Sequence, residues 1–453
     1  MTAIIIFCLL SIFLVAGKIL RAGIPLLQKL YLPSSVIGGL VGLLVIQFFP
    51  ALFPADILGG ISRLPGFLIN VIFASLFLGV ATPKLKTVCT LAFPQLCFGQ
   101  ILAWGQYVIG LGLTGFVLMP LFGIHPAFGN LLEIGFEGGH GTVGGMTGIF
   151  ESNRWSDGIA LGYTVATVGM IMAIIIGMLL VNWAHRKGYV RQVVPFEQQD
   201  KTRRRGLYKP GEMPSAGRQT VLCDSIDSLA WHVALLGLAV AVGYLLLVGC
   251  QKAETGLFPH TEKRLFAGFP LFPLCMIGGL MIQKIMRKIK LDYLVDPGQM
   301  RRLAGASLDF LVVSAITTIR IEVVAQHWIC LLALVVCGAL QAVLLVIFLA
   351  PRIFRTAWFE RAIADFGQAL GVTATGLLLL RTVDPENRTE AATAFGYKQL
   401  LHEPFMGGGI CTALALTLVF TIGWFKVFIA SVILLTVWSI AAAWIIHADR
   451  KIR

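Results

Sequence analysis

Apolar runs of membrane-spanning length recur from one end of the chain to the other, separated by short polar stretches rich in bases, glycine or proline. Crossing the hydrocarbon core of a bilayer takes about 20 apolar helical residues. On that length the pattern predicts spans at Thr2–Leu20, Ser34–Phe49, Gly66–Thr82, Leu91–Phe122 and Gly158–Trp183. After a polar interval it predicts Ser228–Cys250, Gly268–Ile282, Ala304–Val324, Trp328–Phe348, a broken segment Thr389–Trp424, and Val427–His447. Two further segments, Ala127–Phe150 and Glu360–Leu380, are interrupted near their middles and read as re-entrant helical hairpins that enter and leave on one side. The expectation is an all-α polytopic membrane protein with about eleven crossings.

Composition agrees. Of 453 residues 57% are hydrophobic and only 13% charged, and the mean hydropathy is +0.83. A soluble domain carries about twice that charge. The formal net charge of +13 would suit nucleic acid, but the bases lie between apolar segments, where they set membrane orientation, so no nucleic-acid partner is expected. The nine cysteines lie mostly in apolar runs, show no C-x-x-C spacing and read as small core residues. Met1–Gly17 has no basic region ahead of its apolar run and reads as a retained span rather than a signal peptide.

The bases also give an orientation. The interval Ala184–Asp227 carries a dense set from Arg186 and Lys187 through Arg191, Lys201 and Arg203 to Arg218, and reads as a cytoplasmic linker. Counting outward from it puts Arg352, Arg355, Arg450, Lys451 and Arg453 inside, provided that neither hairpin crosses. The N-terminus then lies outside and the C-terminus in the cytoplasm. The chain divides into a first membrane repeat at 1–183 with its hairpin at 127–150, the linker at 184–227, a second repeat at 228–424 with its hairpin at 360–380, and an extra C-terminal helix at 425–453.

The halves resemble each other. Pro33-Ser34-Ser35-Val36-Ile37-Gly38-Gly39-Leu40 matches Pro273-Leu274-Cys275-Met276-Ile277-Gly278-Gly279-Leu280. Phe136 ahead of Gly141-Thr142-Val143-Gly144-Gly145 matches Phe366 ahead of Gly371-Val372-Thr373-Ala374-Thr375-Gly376. An odd number of crossings in the first half requires the second copy to be inverted. Inverted repeats with broken helices meeting near the midplane mark secondary transporters.

The candidate chemistry sits at those breaks. Glu137 precedes Gly138-Gly139-His140-Gly141-Thr142 in a stretch apolar enough for the membrane. Lipid does not tolerate open backbone unless protein or water surrounds it. Free N–H groups at a half-helix start suit a carboxylate, and freed carbonyls with the Thr142 hydroxyl suit a hard cation. The same glycines could instead serve close helix packing. His140 either takes part or only hydrogen-bonds the turn. Glu137 either ligates a cation or senses a proton, or pairs with a base at the water boundary. At the second tip Thr373 and Thr375 offer hydroxyls beside Gly371, or bond back to their own turn. Arg320, in an apolar span, either holds an anionic side chain, pairs with Glu322, or snorkels outward from the span's end. Lys398, His402 and Glu403 precede Gly407-Gly408-Gly409; buried they make an ion pathway, and near the surface only an amphipathic helix start. Asp365 enters the second hairpin with no role assigned.

The Gly-Gly-His-Gly-Thr run, the Pro33-to-Gly39 motif and Gly371-Val372-Thr373-Ala374-Thr375 resemble the bacterial sodium/glutamate symporter family over nearly the whole chain. The resemblance implies an inner-membrane homodimer of inverted repeats, with a small anionic amino acid as substrate, sodium as coupling ion and no other cofactor. Substrate contacts would fall to Gly138, Gly139, His140, Gly141, Thr142, Thr373, Thr375 and Arg320. Sodium would fall to Glu137, Thr142, Gly371, Thr373 and Glu403. The chain departs from the family pattern where Ala374 replaces a proline, Leu379 an asparagine, and Thr412 and Ala415 an acid and an amide. These departures bear on cargo and stoichiometry, with Glu403 as a substitute acid. The alternative is a proton- or sodium-coupled carrier of another small carboxylate or metabolite. An enzyme using His140 with Glu137 would need a supporting motif of the Gly-x-Ser-x-Gly or His-Glu-x-x-His kind, and none is present. A channel would need a repeated polar face, which no span has.

Overall fold

The computed structural model describes residues 2–80, 85–190, 200–209, 211–257, 259, 266, 269–385 and 388–450, with side chains except at 85–90, 201, 203, 449 and 450. Of the bases used above, Arg191, Lys451 and Arg453 lie outside the described residues, as do the side chains of Lys201, Arg203 and Arg450. All regular structure among the described residues is helical. Among the described residues eight helices are long and apolar enough to cross a membrane: Thr2–Gly23, Ala55–Ser75, Leu91–Phe122, Asp157–Arg186, Ser228–Leu257, Trp328–Ile353, Trp358–Val383 and Trp424–Ala448. Two shorter apolar helices, Ser34–Phe48 and Ile410–Ile422, accompany them.

Two spans start several residues ahead of the pattern-based reading. Ala55–Ser75 starts well ahead of Gly66 and runs through Pro65, because neighbouring helices compensate a proline inside a membrane helix. The span expected at Ala304–Val324 is instead the helix Pro297–Thr317, whose start is capped by Asp296 Oδ1 accepting from Gln299 N at 2.8 Å. Arg320 therefore stands at the joint before the short helix Ile321–Gln326, not inside a span.

Local devices occur in pairs across the halves. A π-helical turn at Thr114–Leu118 leads into Met119–Phe122 with Pro120 near its start, and another at Leu345–Leu349 leads into Ala350–Ile353 with Pro351. Proline cannot donate to the preceding turn and its ring presses on the carbonyl four residues back; widening that turn relieves both. Gly17 and Gly38 meet backbone to backbone where Thr2–Gly23 crosses Ser34–Phe48. Gly243 and Gly278 meet in the same way where Ser228–Leu257 crosses Phe272–Lys288. These are the small-residue contacts that let membrane helices approach closely.

One large apolar cluster joins the elements around the two interrupted segments, including Phe136 and Phe366, both fully buried. Three smaller clusters are separate from it, one around Ile6, Ile61 and Val313, one around Ala74, Leu235 and Cys275, and one around Leu32, Ile37 and Ile174. The described part of the basic interval docks onto helix ends: Lys18 Nζ donates to Gly206 O at 2.7 Å, and Thr220 N to Ser228 Oγ at 3.1 Å.

Candidate functional site

The helix Leu131–Phe136 stops at Glu137, and a new helix, Gly139–Gly145, starts after Gly138. Gly139 has φ +68°, a left-handed conformation that a Cβ would resist. The ends of this interrupted segment come together, since the rings of His125 and Trp155 stack at 4.4 Å. In Trp358–Val383 the helix breaks at Gly371 and Val372. A straight helix would hold Gly367 and Gly376 about 13 Å apart. Here a Cβ on Gly367 would lie 2.7 Å from Gly376 Cα, so the arms fold side by side. The two breaks touch: a Cβ on Gly139 would lie 2.5 Å from Val372 Cγ1. A third break runs from His402, where Ala391–His402 ends, through Gly407 at φ +64° and Gly408 at φ +104° to Ile410–Ile422.

Hydrogen bonds fasten the three breaks together. Trp104 can only donate, and its Nε1 reaches Gln100 Oε1 at 2.9 Å, which turns the Gln100 amide nitrogen toward His402 Nδ1 at 3.2 Å. That leaves His402 Nε2 carrying the hydrogen that it gives to Glu137 Oε1. On the other side Lys398 Nζ donates to Gln368 Oε1 at 2.5 Å, which turns Gln368 Nε2 toward the same Glu137 Oε1 at 3.1 Å. Two donor chains thus converge on one oxygen of a carboxylate. The other, Oε2, is buried with no hydrogen-bond partner among the described residues.

Glu133 lies four residues earlier. Its Oε1 accepts from Gly407 N at 3.0 Å and Thr412 Oγ1 at 2.9 Å, and its Oε2 from Tyr107 at 2.7 Å. Thr373 Oγ1 donates to Glu403 Oε1 at 2.7 Å, and Gln399 Nε2 bonds both. Behind Lys398, whose side chain is 1% exposed, Asp365 Oδ1 lies 3.6 Å away. Asp365 Oδ2 accepts from Gln95 at 2.8 Å, and Gln95 Oε1 accepts from Arg361 Nε at 2.8 Å.

The sequence-derived candidates divide accordingly. Glu137, Gly138 and Gly139 lie at the first break and Gly371 at the second, while Thr373 and Glu403 bond to each other. Thr142 bonds back to Gly138 O at 2.8 Å while its hydroxyl packs against Gly408. Thr375 bonds back to Gly371 O. His140 Nε2 lies 2.9 Å from Thr167 Oγ1, directing the ring toward Asp157–Arg186, and Gly141 packs on Ile69. Arg320 joins none of this: half-exposed, it pairs with Asp157 at 2.7 Å rather than with Glu322. Lys398 and His402 are both buried, which does not fit a helix start at the surface. Glu133, Gln100 and Gln368 went unnoticed in the sequence. Glu133 had a signal, its four-residue spacing from Glu137 on one helix face.

Residues 1–384 match the family described as sodium/glutamate symporter. The chain belongs to that family. No curated protein matches it. As a member of the sodium/glutamate symporter family it is a multi-pass membrane protein of a transporter class. The family match covers the first two breaks and ends at Asp384, so Lys398, His402, Glu403 and the Gly407–Gly409 break lie beyond the matched residues.

Proposed function

We propose that the chain is a secondary active transporter that carries glutamate or a related small anionic amino acid together with sodium across the bacterial inner membrane. The observation that carries this reading is the contact of Gly139 with Val372, where two separate helix breaks meet inside the protein. Broken helices facing each other supply what such a cargo needs: N–H dipoles for a carboxylate, and carbonyl and carboxylate oxygens for a cation. Glu137 Oε2 fits a sodium ligand, as an acceptor that no donor among the described residues engages. Gly371, Thr373, Glu403 and Thr142 would complete the oxygen set, and Gly138, Gly139 and Gly141 the substrate cradle. The paired π-turns with their prolines and the paired glycine crossings support inverted repeats with two re-entrant hairpins. In that arrangement the elements of the large cluster carry the site past the flanking helices. A homodimer, with the N-terminus outside and the C-terminus in the cytoplasm, completes the proposal.

The contact between His402 and Glu137 favours a second reading, in which a proton takes the place of sodium. Uptake of a labelled amino-acid panel into proteoliposomes, under an imposed sodium or proton gradient, separates the two. Under the first reading only the sodium gradient drives accumulation. Gly139→Leu and Thr142→Val abolish it while leaving folded protein in the membrane. Accumulation at wild-type rates in both variants removes the first break from the mechanism.

A further inference from the structure

Lys398 carries its ammonium group into the interior, on a side chain 1% exposed. Gly99 of Leu85–Leu113 makes the room: a Cβ there would lie 2.4 Å from Lys398 Cε and 2.8 Å from Nζ. The other neighbours of the ammonium are Asp365 and Gln368, three residues apart on one face of the arm that leads to the second break. Nζ donates to Gln368 Oε1 at 2.5 Å and lies 3.6 Å from Asp365 Oδ1. An ammonium has three hydrogens to give. Among the described residues Gln368 is the one acceptor it hydrogen-bonds, and Asp365 Oδ1 receives no hydrogen bond at all. Lys398 therefore acts here as a point charge set beside oxygens, not as a directed donor. Hard metal cations are held in the same manner, by oxygen ligands.

The surroundings demand positive charge. Glu133, Glu137 and Asp365 are each at most 4% exposed, and Glu403 adds a fourth carboxylate where it bonds Thr373. Among the described residues Lys398 is the one buried ammonium that answers them; the guanidinium of Arg361, further out, is shared with Glu390. A buried carboxylate left without a counter-charge is costly. Taking the Lys398 side chain away would leave Asp365 Oδ1 and Gln368 Oε1 facing an emptied space beside Gly99.

We propose that Lys398 is a built-in cation, its ammonium filling a site for an alkali cation made by Asp365 and Gln368. Gln368 joins this site to the first break, since its Nε2 reaches Glu137 Oε1 at 3.1 Å. The consequence for transport rests on the sodium-coupled reading above: the tethered charge takes the place of one sodium ion that the acids would otherwise draw in with each substrate.

Counting ions bound to the purified full chain in neutral detergent tests this without reading transport. Lys398→Ala binds one more radioactive sodium ion per chain than the parent does. Sodium chloride then raises the melting temperature of the variant by several degrees over choline chloride, beyond any rise in the parent. Lys398→Ala combined with Asp365→Asn loses the added ion, while Asp365→Asn alone keeps the parent's count. The n-propylammonium ion replaces the atoms that alanine lacks, and it displaces the added sodium. Where Lys398→Ala unfolds in choline, purification in sodium or n-propylammonium recovers folded protein. An unchanged sodium count in folded Lys398→Ala, a stability that rises with acid and not with sodium, or no recovery by either cation overturns the proposal. A parent that binds no sodium, beside a variant that binds one ion, removes sodium coupling and leaves the Lys398 site standing.

Discussion

Val372 holds φ +66° and ψ 167°, a region that is nearly glycine's alone and costs a side-chain-bearing residue about 1–3 kcal/mol. Strain of that size persists only where surrounding contacts enforce it, and here the opposing surface is Gly139, itself at φ +68°. The pair should behave as one unit. Gly139→Ala drives a methyl into Val372 Cγ1 and lowers uptake; Val372→Ala removes the atom that it strikes. The double variant should therefore retain more activity than the product of the single losses, with a coupling energy of about 0.5–3 kcal/mol. Strictly multiplicative losses in proteoliposome uptake would show that the breaks do not touch. The glycines of this contact are legible in sequence because their composition is unusual for a membrane segment. The amides that serve it are not. Gln100 and Gln368 look like isolated polar residues in apolar runs, and only their partners, Trp104 and Lys398, reveal that each is turned to donate toward Glu137 or its imidazole. Arg320 misled for the converse reason. An apolar neighbourhood suggested burial, but the helix ends at Thr317 and leaves the base in reach of Asp157.

Among elements, hydrophobic length predicted nearly every long helix, and interruption by glycine located all three breaks. What length does not encode is how closely two helices approach. Gly38 faces the carbonyl of Phe13 and Gly278 that of Ala239, positions where added atoms meet backbone that cannot rotate away. Leucine at either position should force its helix pair apart at an overpacking cost of about 1–3 kcal/mol, lowering the melting temperature in detergent by a similar amount in the two halves. Gly305, exposed on Pro297–Thr317 with no neighbour within 4 Å, provides the control: Gly305→Leu should melt like the parent. A large effect at Gly38 with none at Gly278 would break the equivalence of the two crossings and weaken the case for a repeat. The prolines escaped the sequence reading in a different sense. The expected span Trp328–Phe348 stops short of Pro351, yet Pro351, like Pro120 within Leu91–Phe122, is absorbed by a π-turn just ahead of it, so the helix continues to its loop.

At the scale of the whole molecule, transport requires that two ligands depend on each other. The proposed sodium ligand, Glu137 Oε2, belongs to the first break. The side chains that orient this carboxylate come from the second break and from the helix ahead of the third, through Gln368 and His402. A cation there draws three chain segments together and adds positive charge beside the backbone dipoles that would hold an anionic substrate. An anion in that cradle in turn raises the affinity for the cation, since opposite charges in a poorly solvated pocket attract each other strongly. Thermodynamic linkage makes the two effects equal, typically about 5–150-fold. Calorimetric titration of the purified protein with glutamate, with and without saturating sodium, should give an affinity ratio within that range. Titration with sodium, with and without glutamate, should return the same ratio. Glu137→Gln keeps an acceptor for one of the two donors but loses the charge, and should bring both ratios close to one. Glutamate affinity that is indifferent to sodium in the wild type would mean that the breaks meet for packing alone.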